Sequence, residues 1–132
     1  MKKIIALLFL TALTACSSTQ DLYKIIPSFW DDNQSHSIVT AYQQAVNIDC
    51  TQPQAAQAQK IVQELQWFQL YSESKGFLQH DVLELIAPMQ TTATEWATRA
   101  KDKDPSAAYC KIKRDILVTQ AKKASSAVLG RF

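Results

Sequence analysis

From residue 35 onward, apolar side chains return at every third or fourth position, the period of a helix with one buried face. Ile38, Ala41, Tyr42, Ala45 and Val46 predict a first helix over about residues 35–46. Asn47, Ile48 and Asp49 lead from it to Cys50. Thr51 is the candidate cap of a second helix, with Pro53 in its first turn, where a missing N–H is harmless. Ala58, Ile61, Val62, Leu65 and Phe68 make its stripe; Trp67, Leu70 and Tyr71 widen it, and Gly76 ends it. Asp81 is placed to start a third helix. There Val82, Ile86, Met89, Ala93, Trp96 and Ala100 advance by four, three, four, three and four. Pro88 falls inside that stripe and predicts a kink or a break into two helices. Asp104-Pro105 reads as a cap followed by Pro at the first helical position. The fourth helix then carries Tyr109, Ile112, Ile116, Leu117, Ala121, Ala124 and Val128, and Gly130 closes it.

Ahead of these elements, residues 21–30 carry Leu22, Ile25, Ile26, Phe29 and Trp30 at helical spacing. Pro27 restricts Ile26 and interrupts the run, so a short helix or turn and a new start near Pro27-Ser28 are expected. Glycine occurs only twice in 132 residues, and Ala and Gln abound, a composition that favours helix. The length suffices for one compact domain. The pattern predicts an all-α fold, a small antiparallel up-down-up-down bundle of about four helices.

The first sixteen residues have a different organisation. Met1-Lys2-Lys3 is positively charged, and residues 4–10 are a short apolar run that ends in Leu13-Thr14-Ala15-Cys16. The run falls short of the roughly 20 residues of a membrane span. This segment resembles the signal and lipobox of bacterial lipoproteins. The resemblance implies removal of residues 1–15, diacylglycerol on the Cys16 thiol, a third acyl chain on its amine, and a polar tether over residues 16–20. Residues 21–132 would form the helical domain. Three chains make a durable anchor where one does not. Ser17, rather than Asp, follows the cysteine, which by the same resemblance implies the outer membrane in a Gram-negative host. The domain would then face the periplasm or the cell surface.

Loss of the signal changes the charge. Fourteen Lys and Arg stand against twelve Asp and Glu, and Lys2 and Lys3 leave with the signal. Twelve basic residues then balance twelve acidic ones, so no electrostatic pull towards nucleic acid follows. With Cys16 assigned to lipid, Cys50 and Cys110 remain. An even pair in an exported chain reads as a structural disulfide. In an up-down-up-down bundle both cysteines fall at the same end, within bridging range. The pair lacks the C-x-x-C redox arrangement, and no zinc-ligand spacing accompanies it.

Few residues offer chemistry. Ser72-Glu73-Ser74-Lys75 matches the S-x-x-K nucleophile motif, but it falls at a predicted helix C-terminus, where the dipole disfavours an alkoxide. His80 adjoins Asp81 with Glu84 one turn on, a base–carboxylate arrangement; His36 stands alone. Lys111, Arg114 and Lys122 cluster loosely on the fourth helix, whereas Lys113 and Lys123 point elsewhere. Phe68, Trp96 and Tyr109 are expected in the core. Phe29 and Trp30 are the candidate contacts for a membrane interface or a partner, with closure of the bundle end as the alternative. Phe132 lacks the alternating strand pattern of an outer-membrane barrel terminus. No catalytic residues, metal ligands or cofactor are assigned. The expected function is that of a lipid-anchored, non-enzymatic envelope protein that binds or modulates another envelope component. The alternatives are a phage- or plasmid-type exclusion or immunity lipoprotein, and a small cell-wall hydrolase using His80.

Overall fold

A computed structural model describes residues 31–76 and 79–129. They form four helices: α1 Asp32–Val46, α2 Gln54–Ser74, α3 His80–Asp102 and α4 Ala107–Leu129. No strand occurs among the described residues. Each helix packs on the next, and α4 packs back on α1, so the ring of four closes. The short connections make neighbours antiparallel, and the fold is an all-α four-helix bundle. The expected elements at residues 21–30, the closing Gly130 and the Val128 side chain lie outside what is described.

The predicted stripes form the core. On α3, Val82, Ile86, Met89, Ala93, Trp96 and Ala100 are all buried. On α2, Ala58, Ile61, Val62, Leu65 and Phe68 are buried against them, with Ile38, Ala41 and Ala45 from α1 and Leu117, Ala121 and Ala124 from α4. Alanine on every helix lets the backbones approach closely around Trp96 and Phe68. Each large apolar side chain buried in this way contributes about 1.5–3 kcal/mol. The widening of the α2 stripe does not hold, and neither do two positions of the predicted α4 stripe. Trp67 is 46% exposed, Leu70 67%, Ile112 59% and Ile116 39%. Val46 also lies outside the core. A helix in a four-membered ring meets only two neighbours, so apolar residues at the far pole of α2 and α4 find nothing to pack against.

The helix starts differ from expectation because other side chains cap them, one of them from a distant connection. α1 begins three residues early, at Asp32, since the Asp31 carboxylate accepts from the amides of Asn33 at 2.9 Å and Gln34 at 3.2 Å. Thr51 does not cap α2; its amide and hydroxyl both donate to Asp49. The first amide of α2, on Gln54, donates instead to Asp104 at 2.9 Å. The residue expected to open α4 thus caps α2, and its negative charge suits that helix's positive end. α4 starts at Ala107, where Ser106 Oγ accepts from the Tyr109 amide at 3.2 Å. α3 starts at His80, behind Gln79, and runs unbroken through Pro88. Ala87 and Pro88 are exposed, so the carbonyl of Glu84, which Pro88 cannot serve, is on the side that water reaches. Gly76 ends α2 as expected, with φ +94°, a conformation that glycine adopts without strain.

Two devices close the end where α1 and α3 finish and α2 and α4 begin. The first is the Cys50–Cys110 disulfide, with Cα atoms 5.7 Å apart. It closes a loop of 60 residues, for about 4 kcal/mol in the chain-entropy account. The second is Gln54, itself buried. Its Oε1 accepts from the Trp96 indole N–H at 2.9 Å, and its Nε2 donates to the Pro105 carbonyl at 2.7 Å. Gln57 stitches the preceding turn through the Asp49 amide and carbonyl. We expect Gln54→Ala to lower unfolding stability by about 2–3 kcal/mol, because it leaves a buried indole N–H unpaired. Urea titration followed by circular dichroism measures this, and an unchanged midpoint would remove Gln54 from its central place.

Candidate functional site

The opposite end holds most of the candidate chemistry, and its side chains are drawn largely into structure. Gln34, buried in α1, donates through Nε2 to Ser72 Oγ at 2.8 Å and to Gln79 Oε1 at 2.7 Å. Ser72 is fully buried. The first residue of the S-x-x-K match is therefore a core hydroxyl that ties α2 to α1. The last, Lys75, forms an ion pair with Asp31. Tyr71 donates its hydroxyl to the same carboxylate at 3.1 Å and accepts from Asn33 Nδ2 at 2.9 Å.

Asp31 thus receives the Lys75 ammonium, the Tyr71 hydroxyl and two backbone amides. Burial opposes its ionisation, but Lys75, the Gln34 amide, Tyr71 and the Asn33 amide together outweigh that and hold its pKa below the usual carboxylate range. Lys75 moves the other way, raised mainly by its bond to Asp31. At the opposite end Asp49 is also lowered, by the hydroxyl and amide of Thr51.

His80 and Glu84 stand together on the first turns of α3, with Nδ1 and Oε1 3.5 Å apart. Both are well exposed and line a groove of about 730 Å3 between α2 and α3. Leu83 and Ala87 give the groove apolar surface, and Glu73 of α2 stands on its other wall. Asp81 does not line it; its carboxylate accepts from the Val82 amide at 2.8 Å. The pair can shuttle a proton from an exposed position. Among the described residues, no group of three or more His, Cys, Asp or Glu side chains is placed to hold a metal ion. No described helix is long and apolar enough to cross a membrane.

The basic residues of α4 are dispersed, and some are paired. Lys113 reaches Glu95 of α3 at 3.1 Å, and Arg114 pairs with the adjacent Asp115. Lys111, Lys122 and Lys123 are exposed. Tyr109 packs half-buried against the core beneath Arg99, whose guanidinium carbon is 4.6 Å from the ring centre. Cys16, Phe29, Trp30 and Phe132 lie outside the described residues.

One feature escaped the sequence reading. Trp67 and Tyr71 stack on the outside of α2, with centroids 5.0 Å apart and planes 6° from parallel. Lys75 Nζ lies 5.3 Å from the centre of the Tyr71 ring. The i, i+4, i+8 spacing of Trp67, Tyr71 and Lys75 was the available signal, hidden because the two aromatics read as core. The chain matches no protein-family model, no curated protein and no solved structure.

The Asp31 cluster has a definite pH signature. A carboxylate with a depressed folded pKa adds stability above its unfolded value, near 3.8, and loses it as pH falls through the folded value. Asp31→Asn keeps a capping oxygen but loses the charge. We expect it to be less stable than wild type at pH 6, with the gap narrowing as pH falls below about 3.8. Urea midpoints across that range check the sign; a gap that widens on acidification would contradict it.

Proposed function

We propose that this chain is a lipid-anchored envelope protein whose helical domain acts by binding or modulating another envelope component. The observation that carries this reading is the lipobox-like Leu13-Thr14-Ala15-Cys16, placed after Lys2-Lys3 and a short apolar run. The Cys50–Cys110 disulfide supports it, because such bonds form and persist in oxidising compartments outside the cytoplasm. So does the use of Ser72 and Lys75, the strongest motif match to a catalytic pair, in closing the bundle. An anchor would confine the domain to a surface and raise its effective concentration towards neighbours there. In a Gram-negative host the domain would sit on the outer membrane, facing the periplasm or the cell surface. An exclusion or immunity role is one form of the same reading, with a surface receptor as the partner.

The groove holding His80 and Glu84 favours a second reading, a small cell-wall hydrolase with His80 as general base. That reading requires a peptidoglycan-degrading activity that His80→Ala abolishes while leaving the fold unchanged; no release of wall fragments by purified wild type ends it.

Metabolic labelling with an alkyne fatty acid tests the anchor. The wild type should take up label and fractionate with membranes, and Cys16→Ser should do neither. Crosslinking in cells followed by mass spectrometry then tests the binding role. Capture of one envelope protein by the acylated form alone is the expected result. An unlabelled wild type overturns the anchor, and an acylated protein that captures nothing overturns the binding role.

A further inference from the structure

The outward face of α2 is unlike any surface a free helix needs. At 100° per residue, Ala56, Lys60, Gln63, Trp67, Leu70 and Ser74 fall in one stripe about 80° wide. All six are exposed, and the stripe contains no carboxylate. Trp67 is held flat on Tyr71, so an indole left 46% exposed is also fixed in orientation. Leu70, 67% exposed, extends the apolar area. Trp and Tyr beside Leu, with lysine at the margin, is the chemistry of a surface that rests at a membrane–water interface.

The point where the chain enters the bundle singles out this face. Asp31 is bonded to Tyr71, the ring on which Trp67 of the stripe is stacked, and to Lys75, which lies over the same ring. The fourteen residues between Cys16 and Asp31 span at most about 50 Å. They join the bundle beside α2, at the end away from the disulfide. The other exposed apolar pair, Ile112 and Ile116, lies on α4, which is diagonal to α2 in the ring and begins at the far end. A bundle tethered at Asp31 cannot lay both faces on one bilayer.

We infer that the outer face of α2, centred on Trp67 and Leu70, is a second membrane contact that lays the bundle on the lipid surface. This inference rests on the lipoprotein reading for its anchor. The anchor holds the face at high local concentration near lipid, so a contact too weak to bind membranes alone is enough to orient the domain. Burial of the indole to about 5–10 Å, the depth of interfacial helices, places it within reach of acyl-chain quenchers.

The test uses the processed chain beginning at Cys16, with Trp30→Phe, so that the emission comes from Trp67 and from Trp96 in the core. It is incorporated into phosphatidylethanolamine–phosphatidylglycerol vesicles containing acyl-brominated phosphatidylcholine. Trp67 emission should fall roughly two-fold relative to vesicles without bromine, as expected for an indole at interfacial depth. The response should vanish in Trp67→Phe. Leu70→Glu, at an exposed position, should weaken it with an unchanged circular dichroism spectrum. A parallel sample, coupled through its Cys16 thiol to a maleimide lipid, separates the two readings. Quenching in the coupled sample, with no acyl group on the cell-derived protein, keeps the face and overturns the natural anchor. Unquenched Trp67 in both samples overturns the face, including the case in which that surface serves a protein partner, and leaves the anchor to its labelling result.

Discussion

The bundle depends on one buried amide. Gln54 begins α2, yet its side chain is deep enough to accept from the Trp96 indole and to donate to the carbonyl that precedes α4. Its own backbone N–H is capped by Asp104, from the same connection. Trp96 is the largest fully buried side chain, and a buried indole N–H needs a partner. A single glutamine therefore decides how far α2 can move relative to α3 and the start of α4. Beside it the disulfide joins the α1–α2 turn to α4, so all four helices are fixed at this end.

Among the described residues, the other end is tied by polar bonds and no disulfide. Gln34 joins α1, α2 and the residue before α3, while Asp31 gathers Lys75 and Tyr71 around the point where the chain enters. Covalent closure thus stands at one end, and a pH-sensitive ion-pair cluster stands at the other, where the chain enters. If the chain is lipid-anchored, the tether leaves from the chain-entry end, and with α2 laid on the lipid the disulfide end lies further along the same surface. The His80–Glu84 groove opens near the chain-entry end as well. The structure thus gathers its candidate chemistry where an anchor would attach.

Glutamine fills several of these structural roles. Gln34, Gln54 and Gln79 are buried and bonded, and Gln57, Gln69 and Gln90 knit turns and neighbouring helices. An amide donates and accepts at once without the desolvation cost of a charge. The abundant glutamine, which in the sequence signals only a preference for helix, supplies much of the bonding between helices.

How far the sequence reaches can be judged from particular residues. The 3.6-residue period located four helices, and the α3 stripe from Val82 to Ala100 matched the core at every position, because burial of one face is a local property of the pattern. The Cys50–Cys110 pairing was legible too, since only two thiols remained and the antiparallel order put them at one end. His80 and Glu84 were legible as a pair, because i, i+4 spacing on a helix is local. Tertiary structure alone decided the rest. Asp104 caps α2 rather than its own helix, Ser72 is buried and bonded by Gln34 from α1, and Trp67 and Leu70 stay outside the core although their spacing reads as core. In each case the outcome depends on which neighbour stands across the interface, and a periodicity carries no information about the neighbour. The sequence by itself determined the helices, most of their inner faces and the disulfide; the packing of the ring determined the caps, the burial of polar groups and the apolar residues left outside.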